Sequence, residues 1–378
     1  MKRLFLSYII IPTTLLIWCI ATIGQTVQTK DSGKTLGQCF DAAHKQAETK
    51  GYLKGYWLGY SIQRLMEENS FIGSYYSDKK RNHPTLSEII SGVRLNNIDQ
   101  PDVDIGDCQI IEGMVSAGAD DKPRKKVTKE IGILFHFNGT SNKELDDIKI
   151  SNLSLHVNLK NDPLIWLIGF STEQSITFLR DQFNNISSAD IQEDVVRAVG
   201  LHEASDQTFS FLKEILVSDL RNSLREEAAF WLGQQNTDDA LTTLMGTAQK
   251  DKSEDVREKA IFAISEIENE KATDSLIKLA READEGNVRS KAMFWLSQRA
   301  SEKAELVIND IAQNDDDTEV QKQAVFALTQ LTDNESIPSL IKIARTHSNS
   351  EVRKSAIFWL GQSEDSRALD AIVEIIKN

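Results

Sequence analysis

Apolar residues in the C-terminal half of the chain follow a helical period inside a longer, fixed period. In the segment 288–298 (VRSKAMFWLSQ), Val288, Ala292 and Leu296 fall four residues apart and therefore on one face of a helix. The same pattern recurs at multiples of 32 residues, in 224–234, 256–266, 320–330 and 352–362. A second apolar helix pattern follows each copy. Such a period predicts stacked helix pairs, each of which buries its apolar face only against its neighbours.

The repeats set the predicted fold class and domain organisation. We predict a mainly α protein, in which a right-handed α-solenoid of helix pairs follows a small N-terminal α+β domain. Looser copies extend the solenoid upstream, where the segment 206–216 echoes 173–183. The predicted organisation is a signal peptide at 1–24, a linker at 25–34, the α+β domain at 35–160 and the solenoid at 161–378.

The repeat motif resembles a known family. The pattern V-R-x-x-A-x-x-x-L-G/S, followed by a second apolar helix, resembles the short HEAT-like repeats named after phycobilisome lyases. The residues of the last copy that match it are Val352, Arg353, Ala356, Leu360, Gly361, Ala368, Leu369 and Ile372. The surrounding segment is similar to that of bacterial exported HEAT-repeat proteins. The resemblance implies the solenoid fold, but the chromophore chemistry of the lyases cannot be carried over to particular residues here.

A second HEAT family, the iron hydroxylases of hypusine biosynthesis, resembles the same architecture. Those enzymes require several His-Glu pairs, because a di-iron site needs a converging cluster of ligands. This chain has one such pair, His202-Glu203. The hydroxylase interpretation therefore fails.

The N-terminal domain carries mixed signals. Residues 35–68 are predicted to be largely helical, and the glycines that recur in them every four residues, Gly51, Gly55 and Gly59, indicate the close approach of another backbone. The segments 126–137 and 147–159 are rich in β-branched and apolar residues and flank a turn. We predict that they pair as antiparallel strands.

Two histidines, His136 and His156, lie on these predicted strands and are candidates to face each other. Two imidazoles without a third ligand make a poor metal site. The alternative, exposed rings or rings satisfied in the core, is favoured, and no metal site is predicted.

The N-terminus is typical of an export signal. Lys2 and Arg3 precede a nearly uncharged apolar run over 4–23, and Thr22 and Gly24 fit the −3 and −1 positions of a cleavage site. The run is also long enough to remain as a membrane anchor. We expect an exported protein in the periplasm or outside the cell, with anchoring in the inner membrane by residues 4–23 as the alternative.

Export changes how the three cysteines are interpreted. Cys19 leaves with the signal, so that Cys39 and Cys108 remain. Two thiols in one small domain of an oxidising compartment are expected to form a disulfide. The alternative is two unrelated buried thiols.

Charge and motif content restrict the chemistry. The formal net charge is −14, which disfavours nucleic-acid binding because an acidic surface repels phosphate backbones. The sequence has no nucleophile elbow, glycine-rich phosphate loop, His-Glu zinc helix or Cys-x-x-Cys motif. We therefore assign no catalytic residue, cofactor or metal, and expect binding rather than catalysis.

One phenylalanine recurs in every copy of the repeat, two positions past the alanine of the apolar stripe. These five candidate partner-binding residues are Phe230, Phe262, Phe294, Phe326 and Phe358. At about 100° per residue they point away from the stripe and would form an outward apolar ridge of the kind that binds a partner. The alternative is that each ring folds onto the helix of the neighbouring repeat.

Two other repeated positions are predicted to be structural. An arginine recurs at Arg225, Arg257, Arg289 and Arg353, with Gln321 as the exception, and is expected to bond within the solenoid. Trp231, Trp295 and Trp359 alternate with Ala263 and Ala327, which is how facing layers fill a core without voids.

These patterns predict a protein–protein interaction scaffold in the bacterial envelope that docks partners on the solenoid surface. The alternative is an enzyme or small-ligand binder with its site in the N-terminal domain or at its junction with the solenoid near Trp166. An envelope sensor would require the N-terminal anchor. Val373 keeps an apolar character in the last repeat, so self-association through that repeat is a further expectation.

Overall fold

The computed structural model describes ten stretches of the chain. They are residues 27–29, 34–52, 54–73, 83–91, 109–111, 114–116, 125–139, 144–299, 302–331 and 333–377. These residues form an N-terminal head built on two β-sheets and a C-terminal stack of helices. The predicted fold class, an α-solenoid with a small strand-containing N-terminal region, is confirmed.

The head contains eight strands and two helices in its described residues. They are β1 (Val27–Thr29), α1 (Leu36–Lys50), β2 (Tyr56–Glu67), β3 (Phe71–Ile72), α2 (Leu86–Ser91), β4 (Gln109–Ile111), β5 (Met114–Ser116), β6 (Lys126–Asn138), β7 (Glu144–Asn152) and β8 (Leu164–Leu167). The larger sheet has the order β1-β8-β2-β6-β7, and the smaller has the order β3-β5-β4. The predicted antiparallel pair is confirmed as β6 and β7, although β7 ends at Asn152.

The long strand β2 replaces part of the helix that the sequence predicted over 35–68. Helix α1 ends at Lys50, and the φ of 70° at the next residue, Gly51, lies in the left-handed region that favours glycine. Along β2, Tyr56 and Leu58 are buried in the main core, whereas Trp57 is buried in a smaller core on the opposite face. A central strand buried on both faces is apolar at nearly every position, and an unbroken apolar run does not distinguish strand from helix. The helical prediction for 56–67 is therefore wrong.

Two of the regularly spaced glycines permit close contacts, mainly with side chains, although the backbone oxygen of Ile133 would also lie 3.3 Å from a Cβ at Gly59. A Cβ atom at Gly55 would lie 2.8 Å from Nε2 of His136, and one at Gly59 would lie 2.8 Å from the ring of Trp166. Any larger residue at either position would displace a buried ring. The glycine spacing thus reflects two separate packing requirements on β2.

Two short strands extend the head beyond its predicted boundaries of 35 and 160. Strand β8, which the sequence placed in the solenoid, pairs parallel with β2 inside the larger sheet. Strand β1, which the sequence placed in the linker, pairs parallel with β8. Segments of three or four residues are too short to carry a periodic signal, and they become strands only because longer strands offer them partners.

The helical stack begins at Thr172. Its helices are α3 (Thr172–Asn185), α4 (Ala189–Gly200), α5 (Asp206–Ser218), α6 (Asn222–Gln234), α7 (Asp238–Lys250), α8 (Glu254–Glu266), α9 (Glu270–Glu282), α10 (Gly286–Ser297), α11 (Glu302–Asn314), α12 (Thr318–Leu328), α13 (Asp333–Thr346), α14 (Ser350–Gln362) and α15 (Ser366–Lys377). We call α4, α6, α8, α10, α12 and α14 the first helices, and α5, α7, α9, α11, α13 and α15 the second helices.

First and second helices form two layers of different spacing. Adjacent first helices pack closely along their fully buried alanines, such as Ala228 and Ala260, whereas adjacent second helices meet at few positions. Gly233 shows how tight the first layer is, because a Cβ there would lie 2.6 Å from the carbonyl oxygen of Ala263. When the helices of one layer are more closely spaced than those of the other, the stack curves toward the closely spaced layer. The first helices therefore form the inner, concave face.

Several predictions about the N-terminus concern residues outside the described stretches. The signal peptide at 1–24, the alternative anchor at 4–23 and Cys108 all lie there, so that export, anchoring and the disulfide stay predictions. Cys39 is buried on α1 against the main core. Among the described helices, none has the length and apolar character that crossing a bilayer requires.

Candidate functional site

The five predicted phenylalanines lie in a line across the inner face of the solenoid. The rings of Phe230 and Phe262 are stacked, with centroids 6.3 Å apart and planes within 9° of each other. The ring centroids of Phe262 and Trp295 lie 4.9 Å apart, and those of Phe326 and Trp359 lie 5.1 Å apart. We call these five phenylalanines, together with Trp295 and Trp359, the aromatic row.

The aromatic row combines both interpretations that the sequence left open. Phe230, Phe262 and Phe326 each pack on an aromatic ring of the next first helix. Even so, these three and Phe294 remain partly accessible, and Phe358 is 58% exposed. Side-chain mobility is small in such a packed row, so a partner that covers it orders little. The row is therefore an apolar surface held in place before any partner binds.

The alternating tryptophans complete the row. Trp231 is 2% exposed and packs against Gly200, where a Cβ would lie only 2.2 Å from the indole, so the predicted packing role is confirmed for it. Trp295 and Trp359 are half-buried instead, and each lies over the phenylalanine of the preceding first helix.

A row of amides runs beside the aromatic row, and the sequence interpretation missed it. In four of the five repeats a glutamine follows the phenylalanine by four residues, in the last turn of the helix or just after its end. These glutamines are Gln234, Gln298, Gln330 and Gln362, with Glu266 in the remaining repeat. All but Gln234, which is half-buried, are exposed. The signal was the same 32-residue period, at a polar position.

Charges flank the aromatic row on its other side and change sign along the solenoid. At the positions three and four residues before the phenylalanine, α6 carries two carboxylates, Glu226 and Glu227, whereas α8 carries one of each sign, Glu258 and Lys259. The later repeats carry lysines at these positions, at Lys291, Lys322 and Lys354. Lys291 reaches back to Glu258 at 2.9 Å, where the two signs meet. The inner face is thus acidic toward the head and basic toward α14.

The repeated arginines bond within the solenoid, as predicted. Arg225, with 3% of its side chain exposed, holds both carboxylate oxygens of Asp251 at 2.9 and 3.0 Å. Arg289 holds Asp315 in the same way at 3.0 and 3.1 Å. Each arginine also donates to a carbonyl oxygen of the turn that precedes its helix, as Arg225 does to Asp219 at 3.0 Å. Such forked bonds fix one repeat on the next and leave these side chains unavailable to a partner.

Carboxylates cluster where the aromatic row reaches the head. Arg197 of α4 stands at the position that Phe230 occupies in the next first helix, and it contacts Asp194 at 2.6 Å and Glu227 at 3.2 Å. Burial raises the pKa of Asp194 to about 6; Arg197 opposes this shift, whereas Asp147 of β7 and Glu227 add to it. A carboxyl group with such a pKa exchanges its proton near neutral pH.

A buried polar network joins the head to the solenoid. Nδ1 of His202 donates to the carbonyl oxygen of Ala198 at 2.9 Å, so its Nε2 accepts from the Ser175 hydroxyl at 2.9 Å. That hydroxyl accepts in turn from Tyr60 of β2 at 2.8 Å. Burial lowers the pKa of His202 to about 4, which keeps the ring neutral, and raises the pKa of Tyr60 above its ordinary value.

The serine–histidine pair in this network is structural. Ser175 and His202 are 1% and 2% exposed, so no substrate reaches the hydroxyl. The neighbouring Glu203 accepts from the backbone N–H of Leu65 at 2.8 Å. The residues of this His-Glu pair therefore take part in contacts between the head and the beginning of the helical stack: His202 through Ser175 and Tyr60, and Glu203 through Leu65.

The two strand histidines do not face each other. His136 is buried between Asp146, which contacts Nδ1, and Asp162, which lies 3.0 Å from Nε2. His156 instead contacts the carbonyl oxygen of His83 at 2.6 Å. Across the described ranges, no three His, Cys, Asp or Glu residues are grouped so that they could hold a metal ion.

Trp166, near which the sequence placed a possible junction site, is enclosed by the smaller core. Trp166 is 3% exposed in the smaller core, where Gly59 and Gly132 pack directly against its ring. A cavity of about 460 Å³ lies elsewhere in the head, beside α2, and is lined by Glu88, Lys129 and Glu130 among others. Aromatic packing fills the space around Trp166 itself, and a small-ligand site in the head or at its junction with the solenoid stays a prediction.

Comparisons with known proteins agree with this geometry. The family described as HEAT repeats matches residues 209–297 and 306–378, which lie within the solenoid. No curated protein matches the chain.

Three solved structures are similar to parts of the chain. Human deoxyhypusine hydroxylase in complex with glycerol is 15% identical, with 53% of this chain and 88% of that chain covered and a TM-score of 0.29. The complex of CpcE and CpcF of phycocyanin lyase from Nostoc sp. PCC7120 is 19% identical, with coverage of 51% and 77% and a TM-score of 0.30. YibA of E. coli is 20% identical, with coverage of 55% and 79% and a TM-score of 0.34.

Proposed function

We propose that this chain is a protein–protein interaction scaffold that docks a partner on the inner face of its solenoid, along the aromatic row. The observation that carries this proposal is the recurrence of partly exposed rings on five successive first helices, in contact from α6 to α10 and again from α12 to α14. Aromatic side chains in such preformed surfaces supply most of the free energy of protein association. HEAT repeats in the same region support a scaffold.

The polar side chains around the row indicate how a partner is recognised. Each exposed glutamine offers both a donor and an acceptor, which suits the peptide groups of a partner segment. The change from carboxylates near the head to lysines near α14 gives the surface two electrically different ends. Charges at the rim of an interface fix orientation and raise the association rate more than the affinity.

The proposed setting is the bacterial envelope. Its support is the sequence of residues 1–24, which has the basic, apolar and small-residue regions of an export signal. Mass analysis of the mature protein tests this setting. A chain that begins at Gln25 supports export, whereas an intact N-terminus supports the anchored alternative.

A crosslinking pull-down from the native envelope tests the docking surface. The variant changes Phe262, Phe294 and Phe326 to Ser, and its matched control changes Leu306, which is 64% exposed on α11, to Ser. We expect the partner to be lost from the triple variant by at least about tenfold and kept by the control, because only the former removes the row. Thermal unfolding confirms that both variants fold. Undiminished recovery of the same partners by a folded triple variant would refute the docking surface.

A second candidate function, an enzyme or small-ligand binder at the junction, is favoured by one observation. The pKa of Asp194 is raised to about 6 beside Glu227 and Asp147, and perturbed carboxyl groups are typical of functional sites. A small molecule that raises the melting temperature of the wild type but not of Asp194→Asn would favour this candidate. Retention of all protein partners by Asp194→Asn would show that the two functions are separate.

A further inference from the structure

The end of the aromatic row that lies nearest the head carries an acidic cluster. Arg197 stands there at the position of Phe230 in the next first helix, and it contacts Asp194 at 2.6 Å and Glu227 at 3.2 Å. Burial raises the pKa of Asp194, and the negative charges of Asp147 and Glu227 add to this shift, although Arg197 opposes it. The carboxylates here repel one another, so a further cation at this end of the row would be stabilised.

The inner face repeats its apolar and polar groups once per first helix. Each first helix from α6 to α14 contributes one phenylalanine of the row, and the exposed glutamines Gln298, Gln330 and Gln362 follow at the same interval. Packed helices lie about 8–10 Å apart, so this distance is the period of the surface. Between α6 and α8 the rings reach across the interval, since the centroids of Phe230 and Phe262 are 6.3 Å apart.

This period selects one backbone conformation for a bound segment. In polyproline II each residue advances about 3.1 Å and three residues complete a turn, so that one face recurs about every 9.3 Å. Side chains on one face of a β-strand recur about every 6.6 Å, and those on one face of an α-helix about every 5.4 Å. Of these three conformations, only polyproline II keeps in step with the first helices along the row.

We propose that the occupant of the aromatic row is a proline-rich segment of a protein partner, in the polyproline II conformation and with basic residues at the end nearest the head. This inference rests on the docking function proposed above and names the kind of partner. Every third side chain of the segment packs on the rings, and the acidic cluster binds the basic end. Backbone carbonyl oxygens, which have no internal hydrogen bonds in polyproline II, accept from the exposed glutamines. Such segments dock in aromatic-lined grooves because their backbone is ordered before binding.

Fluorescence anisotropy with labelled synthetic peptides tests the period. Two peptides contain five Leu-Pro-Pro triplets, with two arginines before the triplets in one and after them in the other, because a segment of either chain direction can place its basic end at the head. Each control peptide has the same composition and ends, but its leucines are alternately two and four residues apart. The tighter of the two peptides should bind the wild-type chain at least about tenfold more tightly than its control. Equal affinities would overturn the inference.

Replacement of the two arginines by glutamates in the tighter peptide tests the acidic cluster. The glutamate peptide should bind at least about tenfold more weakly at low ionic strength. The difference should shrink as salt is added, because salt screens exposed charges. Equal affinity of the arginine and glutamate peptides at low ionic strength would also overturn the inference.

Variants of the chain test whether the peptide lies on the row. The variant with Phe262, Phe294 and Phe326 changed to Ser should bind the arginine peptide at least about tenfold more weakly, whereas Leu306→Ser should bind it as the wild type does. Undiminished binding by the folded triple variant, or no binding of either arginine peptide to the wild type at about 1 mM, would refute the inference. Loss of the envelope partners from the triple variant without any peptide binding would leave the docking function standing and refute only its proline-rich occupant.

Discussion

In the solenoid the same polar contact occurs again and again, whereas in the head each polar contact occurs once. Arg225 donates two hydrogen bonds to Asp251, and Arg289, 64 residues later, donates the same two bonds to Asp315. The contacts of the head with α3 and α4, through Tyr60 and Arg64, have no second copy. The repeats of the solenoid produce an extended surface with one residue type at regular intervals. The unrepeated contacts of the head with α3 and α4 fix where that surface ends.

The two regions are expected to lose different amounts of stability when one contact is removed. A repeated contact adds a similar increment at each interface between repeats, so the loss of one weakens one interface. The junction contacts named above are not repeated, so no similar contact compensates for the loss of one of them. We therefore expect substitutions at the junction to cost more than equivalent substitutions inside the stack, and the following experiments measure that difference.

The largest effect is expected at Trp231, where the first complete repeat meets α4. Trp231→Ala should lower the free energy of unfolding by about 3–5 kcal/mol, because it empties a fully buried site against Gly200. Trp295→Ala, at the equivalent but half-buried position, should cost about 2 kcal/mol. Urea denaturation measures both. Equal losses would mean that the junction is no more tightly packed than the stack.

The buried histidine at the junction should make stability depend on acid. The folded-state pKa of His202 is about 4, below its ordinary value of 6.5, so the unfolded chain binds a proton that the folded chain does not. The contribution of His202 to the free energy of unfolding is therefore lost as the pH falls from 6.5 toward 4. The stability advantage of the wild type over His202→Gln should shrink over this window by on the order of 3 kcal/mol. A constant advantage at all pH values would contradict a neutral buried ring.

Asp194 should have the opposite pH dependence. Its folded-state pKa of about 6 exceeds its ordinary value of 3.8, so the unfolded chain releases the proton more readily and stability falls as the pH rises from 4 to 6. Asp194→Asn should accordingly be more stable than the wild type at pH 7, by about 1–2 kcal/mol, and equally stable near pH 4. Unfolding at several pH values measures the difference, and a variant that is less stable at pH 7 would disprove the assignment.

The smallest effect is expected within the stack. Arg289→Lys should cost about 1 kcal/mol, because a lysine cannot keep both bonds to Asp315 and the bond to the carbonyl oxygen of Ala283. Within the described part of the chain, Arg353 bonds to the backbone oxygens of His347 and Ser348 and to no carboxylate, so Arg353→Lys serves as the control with a smaller loss. Melting temperatures rank the two, and a larger loss at Arg353 would show that the carboxylate fork contributes little.

The candidate site could be predicted in part. The 32-residue period identified the five phenylalanines, because a residue repeated at one helix position must recur on one face of the stack. The amide row had the same period but was overlooked, since polar residues at exposed positions carry no packing signal. Arg197 could not be recognised as the end of the row, because the spacing between α4 and α6 is 33 residues and the motif there is divergent.

The sequence by itself determined the helix pairs, their stacking and the alignment of the aromatic residues. These features depend on a local periodicity that recurs in each repeat. Only the tertiary structure decided that 56–67 is a strand, that Val27–Thr29 and Leu164–Leu167 join the sheet, and that His202 is buried beside Ser175. These features depend on partners far away in the chain, which no local pattern encodes. The same reason explains why the inner face of the solenoid could be predicted and the junction with the head could not.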